Sequence, residues 1–153
     1  MAKKIANNLR RDSPKENFGS LPIYIYIVKK VNPGTITHLK VDENSRFKYL
    51  FLAFGSCIRG FSCMRKVISI DGTFFKTSYQ GFLVVAAAQD GNHHCYPITW
   101  VVVDSKNYAS WAWFLTKLQE FVPSTDDLVF ISDRHQSIEK AVCNVYSNAH
   151  HGY

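Results

Sequence analysis

Asp71 and Asp133 are the residues whose types and placing point to chemistry. Asp71 follows the short apolar run Val67–Ile70, within Ser69-Ile70-Asp71-Gly72-Thr73. Asp133 follows Leu128–Ile131, within Ile131-Ser132-Asp133-Arg134-His135. Each run has the length of a buried strand, so each carboxylate is expected at the point where its strand stops. Two strands that end side by side in one sheet bring such carboxylates together. Paired carboxylates are what a hard divalent ion takes for phosphoryl-transfer chemistry. Singly, each has a plainer reading: Asp71 as a turn residue, and Asp133 as the N-cap of the helical pattern that follows it. The matched pair favours metal.

The neighbours fit a polyanionic substrate. Lys76, Arg134 and His135 are candidate phosphate contacts, with solvated surface positions as the alternative. His93-His94-Cys95 is too closely packed for a zinc site and has no partner pair at the usual spacing. His150-His151 reads as a polar tail. Trp111 falls on the apolar face of its helix and is expected in the core, Trp113 falls off that face, and Trp100 is expected to be buried in mid-strand.

Several elements must position these groups. Residues 1–20 read as a helix fragment or lead-in. Leu21–Val31 reads as an amphipathic helix stopped by Asn32-Pro33-Gly34, and Thr35–Val41 as a strand followed by a turn at Asp42-Glu43-Asn44-Ser45. Phe47, Leu50, Phe51, Phe54 and Ile58 fall at helical spacing, with Gly60 as a C-cap, and predict a helix over Phe47–Ile58. Val67–Ile70, Phe82–Ala88 and Cys95–Val103 read as strands. They are joined by a turn at Tyr79-Gln80-Gly81 and a hairpin at Asp90-Gly91-Asn92. Trp111, Phe114, Leu115, Leu118 and Val122 mark a helix, Leu128–Ile131 a fourth strand, and Ile138, Ala141, Val142 and Val145 a last helix. The order β-β-β-α-β-α is the opening of an α/β, ribonuclease-H-like mixed sheet, here incomplete and preceded by a helical lead-in. A right-handed crossover then sets the fourth strand parallel beside the first, with Asp71 and Asp133 at one edge.

At 153 residues, 46% apolar and 14% aromatic, the chain suits about one globular domain. No apolar run approaches the roughly 20 residues of a membrane span, and the basic N-terminus lacks the apolar core of a signal peptide. Cys57, Cys63, Cys95 and Cys143 form no CxxC pair, which suits free thiols in a reducing compartment. Of the net charge of +6, residues 1–46 carry +5, with nine Lys/Arg against four Asp/Glu. The chain divides into a basic lead-in and linker, 1–45, and a partial ribonuclease-H-like domain, 46–153. The basic excess suits a polyanion such as DNA.

The run from Arg65 through Asp71-Gly72-Thr73-Phe74-Phe75-Lys76, with Tyr79-Gln80-Gly81, resembles the first catalytic block of the Mutator-like element (MULE) transposases. Asp90-Gly91-Asn92 with Tyr96-Pro97-Ile98, then Ser110-Trp111-Ala112-Trp113-Phe114-Leu115, then Ile131-Ser132-Asp133-Arg134-His135, follow in the family's order and spacing. Upstream, Asn32-Pro33-Gly34-Thr35 and the stretch from Arg46-Phe47 to Gly60-Phe61 are similar as well. The resemblance covers roughly residues 20–153, and several linked blocks make it specific.

The resemblance implies a DDE-type DNA transposase core that cuts a phosphodiester and transfers the strand. Two aspartates and a later glutamate hold two Mg²⁺ or Mn²⁺ ions. Asp71 and Asp133 match the aspartates, transposon-end DNA is the implied partner, and the nucleus is the implied location. The family's glutamate lies well beyond the second aspartate, after a helical insertion. Glu139 is too close to Asp133 to take that place. The chain is therefore expected to be a fragment or truncated relic, inactive by itself and prone to self-association. The alternative is a transposase-derived DNA-binding or regulatory protein without catalysis. A general ribonuclease-H-like nuclease fits the blocks less well.

Overall fold

The computed structural model describes residues 19–76 and 81–153. The lead-in expected over residues 1–18, with Lys3, Lys4, Arg10, Arg11 and Lys15, lies outside them, as do Tyr79 and Gln80 of the expected turn. Helix α1 is Leu21–Val31, with Pro22 in its first turn and Lys29 and Lys30 in its last. Proline is tolerated there because it removes only a donor that has no helical partner, and the cations suit the carbonyl end. Asn32-Pro33-Gly34 ends the helix, with Gly34 at φ +84°.

The chain then forms β1 (Ile36–Val41), β2 (Phe47–Ala53), α2 (Gly55–Phe61), β3 (Arg65–Phe74), β4 (Phe82–Gln89), β5 (Cys95–Val103), α3 (Tyr108–Leu118), β6 (Val129–Ile131), α4 (Gln136–Val145) and β7 (His150–Gly152). The seven strands make one mixed sheet in the order β1-β2-β5-β4-β3-β6-β7. The meander β3-β4-β5 is antiparallel, and β6 returns parallel to β3. This is the expected β-β-β-α-β-α order, consistent with a ribonuclease-H-like fold. A hairpin, β1-β2, joins it through antiparallel β2-β5 pairing, and β7 joins at the other edge, parallel to β6.

Three expectations are corrected. Phe47–Ile58 is not one helix, because Phe47–Ala53 is strand β2 and helix α2 begins at Gly55. Tyr49, Phe51 and Ala53 point into the core while Leu50 and Leu52 are half-buried on the other face. With both faces apolar, the period-2 signal of a strand is erased. His150 and His151 are not a polar tail. The His150 N–H donates to the Leu128 carbonyl at 2.8 Å, and the Gly152 carbonyl accepts from the Ser132 N–H at 3.2 Å. Trp100 is half-buried, edge-on to Phe54 with ring centroids 5.4 Å apart.

One face of the sheet holds the core. Ile68, Val84, Ala86, Val101 and Phe130 pack there, 0–1% exposed, against Phe114, Leu115 and Leu118 of α3 and Ile138, Ala141 and Val142 of α4. Trp111 belongs to this core, 3% exposed. Trp113 lies on the flank of α3, half-buried against Tyr49 at 5.0 Å.

Candidate functional site

Strand direction decides which loops meet. β3, β5 and β6 run the same way, so their carboxyl ends share one edge of the sheet. Phe74 of β3 pairs with Phe82 of β4, which pairs with Val103 of β5. In the parallel β3-β6 ladder, Ser69 is opposite Ile131. Asp71 and Asp133 each follow that pair by two residues, and the strands neighbour at about 4.8 Å where they pair. The sequence expectation that both reach one edge is met, with one correction. Asp71 does not stand where its strand stops, because β3 continues through it to Phe74.

The two side chains are engaged separately. Asp71 is exposed and its Oδ1 accepts from the Gly72 N–H at 2.7 Å. It alternates with buried Ile70, so it leaves the sheet on the face away from α3 and α4. Asp133, just past β6, pairs through Oδ2 with the Lys106 ammonium. Lys106 lies in the loop from β5 to α3. Its side chain is 21% exposed and its Nζ stands 5.7 Å from the centre of the buried Phe82 ring. That ring also fills the space beside Gly72, where an added Cβ would overlap it and come within 2.8 Å of the Leu83 carbonyl. A glycine is required there by close approach, and Phe82 thereby connects the strand backbone next to Asp71 with Lys106.

Asp133 is not the cap of α4. His135 is, with Nδ1 accepting from the Ser137 N–H at 3.3 Å and contacting Ser137 Oγ at 2.6 Å. This leaves the proton on Nε2. Lys76, Arg134 and His135 are all exposed beyond the carboxyl ends of β3 and β6. Glu139 lies against the Tyr153 hydroxyl and faces His151. Burial lowers the His151 pKa, opposed in part by Glu139. His151 Nε2 meets Ser132 Oγ at 2.9 Å, while its Nδ1 is buried without a partner.

His94 braces the hairpin. Asp90 Oδ1 accepts from the Asn92 and His94 N–H groups at 2.8 Å each, and Oδ2 pairs with His94 Nδ1 at 3.0 Å. These bonds, the His94 N–H foremost, hold the Asp90 pKa below its usual value. All four cysteines are free. A cavity of about 270 Å³ lined by Ile58, Phe61, Met64, Val122 and Leu128 lies at the opposite, amino end of β3 and β6, away from the carboxylates. Among the described residues no three His, Cys, Asp or Glu side chains gather closely enough to hold a metal, and no helix is long and apolar enough to cross a membrane.

Sequence reasoning missed Lys106. The signal available was topological: β5 must end at the same edge as β3, so the loop after Val103 had to arrive beside the aspartates.

Residues 67–153 match the family model described as the MULE transposase domain. A search of curated proteins finds no match.

Proposed function

The chain belongs to the MULE transposase family, and on that premise we propose that Asp71 and Asp133 are two metal-holding carboxylates of a DNA-cleaving transposase core. The observation that carries this reading is the β3-β6 register, which sets both residues two positions beyond one pair, Ser69 and Ile131.

The family implies a divalent metal, and the donors suit it. Both side chains offer hard carboxylate oxygens, the ligand type of Mg²⁺ and Mn²⁺, and Asp133 already carries a cation, the Lys106 ammonium. When bound, such ions supply Lewis-acid activation of a water or 3′-hydroxyl and neutralise charge at the phosphate. Asp71 and Asp133 fix the ions to the sheet edge. Arg134, Lys76 and the Nε2–H of His135 contact backbone phosphates of the DNA and hold it across that edge. The basic residues of the 1–45 segment add sequence-independent, salt-sensitive affinity. The partial catalytic domain is 46–153, to whose sheet β1 adds an edge strand from the preceding segment, and the protein works in the nucleus.

These 153 residues alone are inert in strand cleavage. Two carboxylates bring two negative charges against the four positive charges of a two-ion site, and Glu139 stands on the first turn of α4 rather than at a strand end. This supports a second reading, a DNA-binding member of the family without catalysis. The test is nicking of supercoiled DNA in Mn²⁺ by this chain and by Asp133→Ala, with Mn²⁺-dependent melting of the wild type and Asp71→Asn. Expected are no nicking by either protein and a metal response that Asp71→Asn loses. Nicking that Asp133→Ala abolishes overturns the inert assignment; identical melting responses remove the metal site.

A further inference from the structure

We infer that Lys106 is the resident counter-cation of Asp133, and that a divalent ion reaching Asp133 must displace it. The inference rests on the carboxylate reading above and adds a residue that sets how tightly the metal is held.

Three observations support it. The Lys106 ammonium and the Asp133 carboxylate are in direct contact although 27 positions apart, so the pair is made by the fold and not by local sequence. The lysine is the constrained partner: its side chain is 21% exposed against 59% for Asp133. Its ammonium also stands 5.7 Å from the centre of the Phe82 ring, a favourable position for a cation. Phe82 is 2% exposed and is fixed by Phe74 at 4.8 Å and Trp111 at 6.1 Å. A short linker between β5 and α3, capped by Asn107 Oδ1 accepting from the Ser110 N–H at 3.0 Å, holds the backbone on either side.

A carboxylate oxygen that accepts from an ammonium has lost part of its capacity to ligate. A metal and Lys106 therefore compete for Asp133, and the exchange is one cation for another with no bond to the carbonyl carbon changed. Lys106 keeps its place over Phe82 after exchange, and its freed N–H donors face the edge where the DNA phosphate lies. In the absence of metal the same pair holds Asp133 in one orientation. Lys106 is thus a positioning residue acting through Asp133.

The experiment measures Mn²⁺ binding to the full chain by electron paramagnetic resonance of the free ion, in wild type, Lys106→Met, Lys106→Arg and Asp133→Asn. Methionine keeps the aliphatic stem over Phe82 and removes the charge; arginine keeps the charge. Expected is Mn²⁺ binding roughly threefold to tenfold tighter in Lys106→Met, the scale of losing one competing ion pair. Lys106→Arg should stay near wild type, and Asp133→Asn should lose the site. A purely structural lysine would shift the melting temperature and leave the Mn²⁺ dissociation constant unchanged. Equal or weaker binding in Lys106→Met, with loss in Asp133→Asn, overturns the counter-cation role and leaves the metal site standing. Mn²⁺ binding that ignores Asp133→Asn overturns both. In the wild type, Mg²⁺ should also move the Lys106 side-chain ¹⁵N resonance; a fixed resonance under Asp133-dependent metal binding overturns displacement.

Discussion

The two faces of the sheet are built from the same residue types and meet different surroundings. On the helix side, Phe51, Ile68, Val84, Val101 and Phe130 are 0–1% exposed. On the other, Leu50, Leu52, Leu83, Val85, Trp100 and Val102 are only half-buried. Aliphatic and aromatic residues on both faces read as a sheet designed to be covered twice. The difference shows that alternation in a strand reports what covers each face, and that apolar content alone does not. Asp71 leaves the sheet on the less covered face.

The largest test of this contrast is Phe114→Ala. Phe114 is fully buried against Phe51 and Trp111, and truncation should cost about 3–5 kcal/mol in urea unfolding. Leu52→Ala on the opposite face should cost under about 2 kcal/mol. Equal losses would mean that the second face is packed as tightly as the first.

Gly72→Ala comes next. Its Cβ would overlap the Phe82 ring at the helix-side end of β3, and overpacking should cost about 1–3 kcal/mol. Gly91→Ala, whose Cβ meets nothing within 4 Å, should stay within about 0.5 kcal/mol. A silent Gly72→Ala would show that Phe82 is free to turn, and with it the ring under Lys106.

A smaller effect is expected from Val85→Thr and Trp100→Thr together. Sedimentation should show less self-association than wild type, because the half-buried apolar face shrinks, with an unfolding cost of about 1–2 kcal/mol from the lost contacts. Unchanged association would assign it to another surface, such as the exposed Ile23, Tyr26 and Val31 of α1.

The smallest is a pH effect at β7. Burial keeps the folded His151 pKa below its ordinary 6.5, with Glu139 opposing. A depressed folded pKa means that the unfolded chain takes the proton first. The contribution is therefore complete above about pH 6.5 and is lost as pH falls toward the folded value. Melting temperatures between pH 7.5 and 5 should decline less in His151→Gln than in wild type. Identical slopes would show that the partnerless Nδ1 finds an acceptor when protonated.

Much of the fold was legible in the sequence. Helix α1, the β3-β4-β5 meander, the crossover through α3 and the parallel return of β6 follow from breakers and periodicity that agree with the tertiary contacts. β2 was not legible, because Leu50 fills the second face and imitates a helical stripe with Phe47, Phe51, Phe54 and Ile58. β7 was hidden for another reason. His150-His151-Gly152 has no strand preference of its own and is a strand because β6 offers it a ladder. Of the candidate site, the meeting of Asp71 and Asp133 at one edge could be read from strand order. Strand order also brings the loop after β5 to that edge, but it does not single out Lys106, since a loop lysine carries no local mark of the carboxylate it will meet.

The junction at the foot of α1 has a mechanical consequence. Gly55 lies so close to Pro33 that a Cβ would overlap the Pro33 carbonyl oxygen. The Gly55 N–H donates to Thr35 Oγ1 at 3.1 Å, and Arg59 Nη1 donates to the same Pro33 carbonyl at 3.2 Å. The root of α1 is thus clamped to α2, while Val28 is its one buried residue. An 11-residue helix is about 16 Å long, so a tilt of about 10° at the clamp carries its far end about 3 Å. One missing methyl group at position 55 therefore aims a lever, and sets the angle at which α1 stands to the sheet.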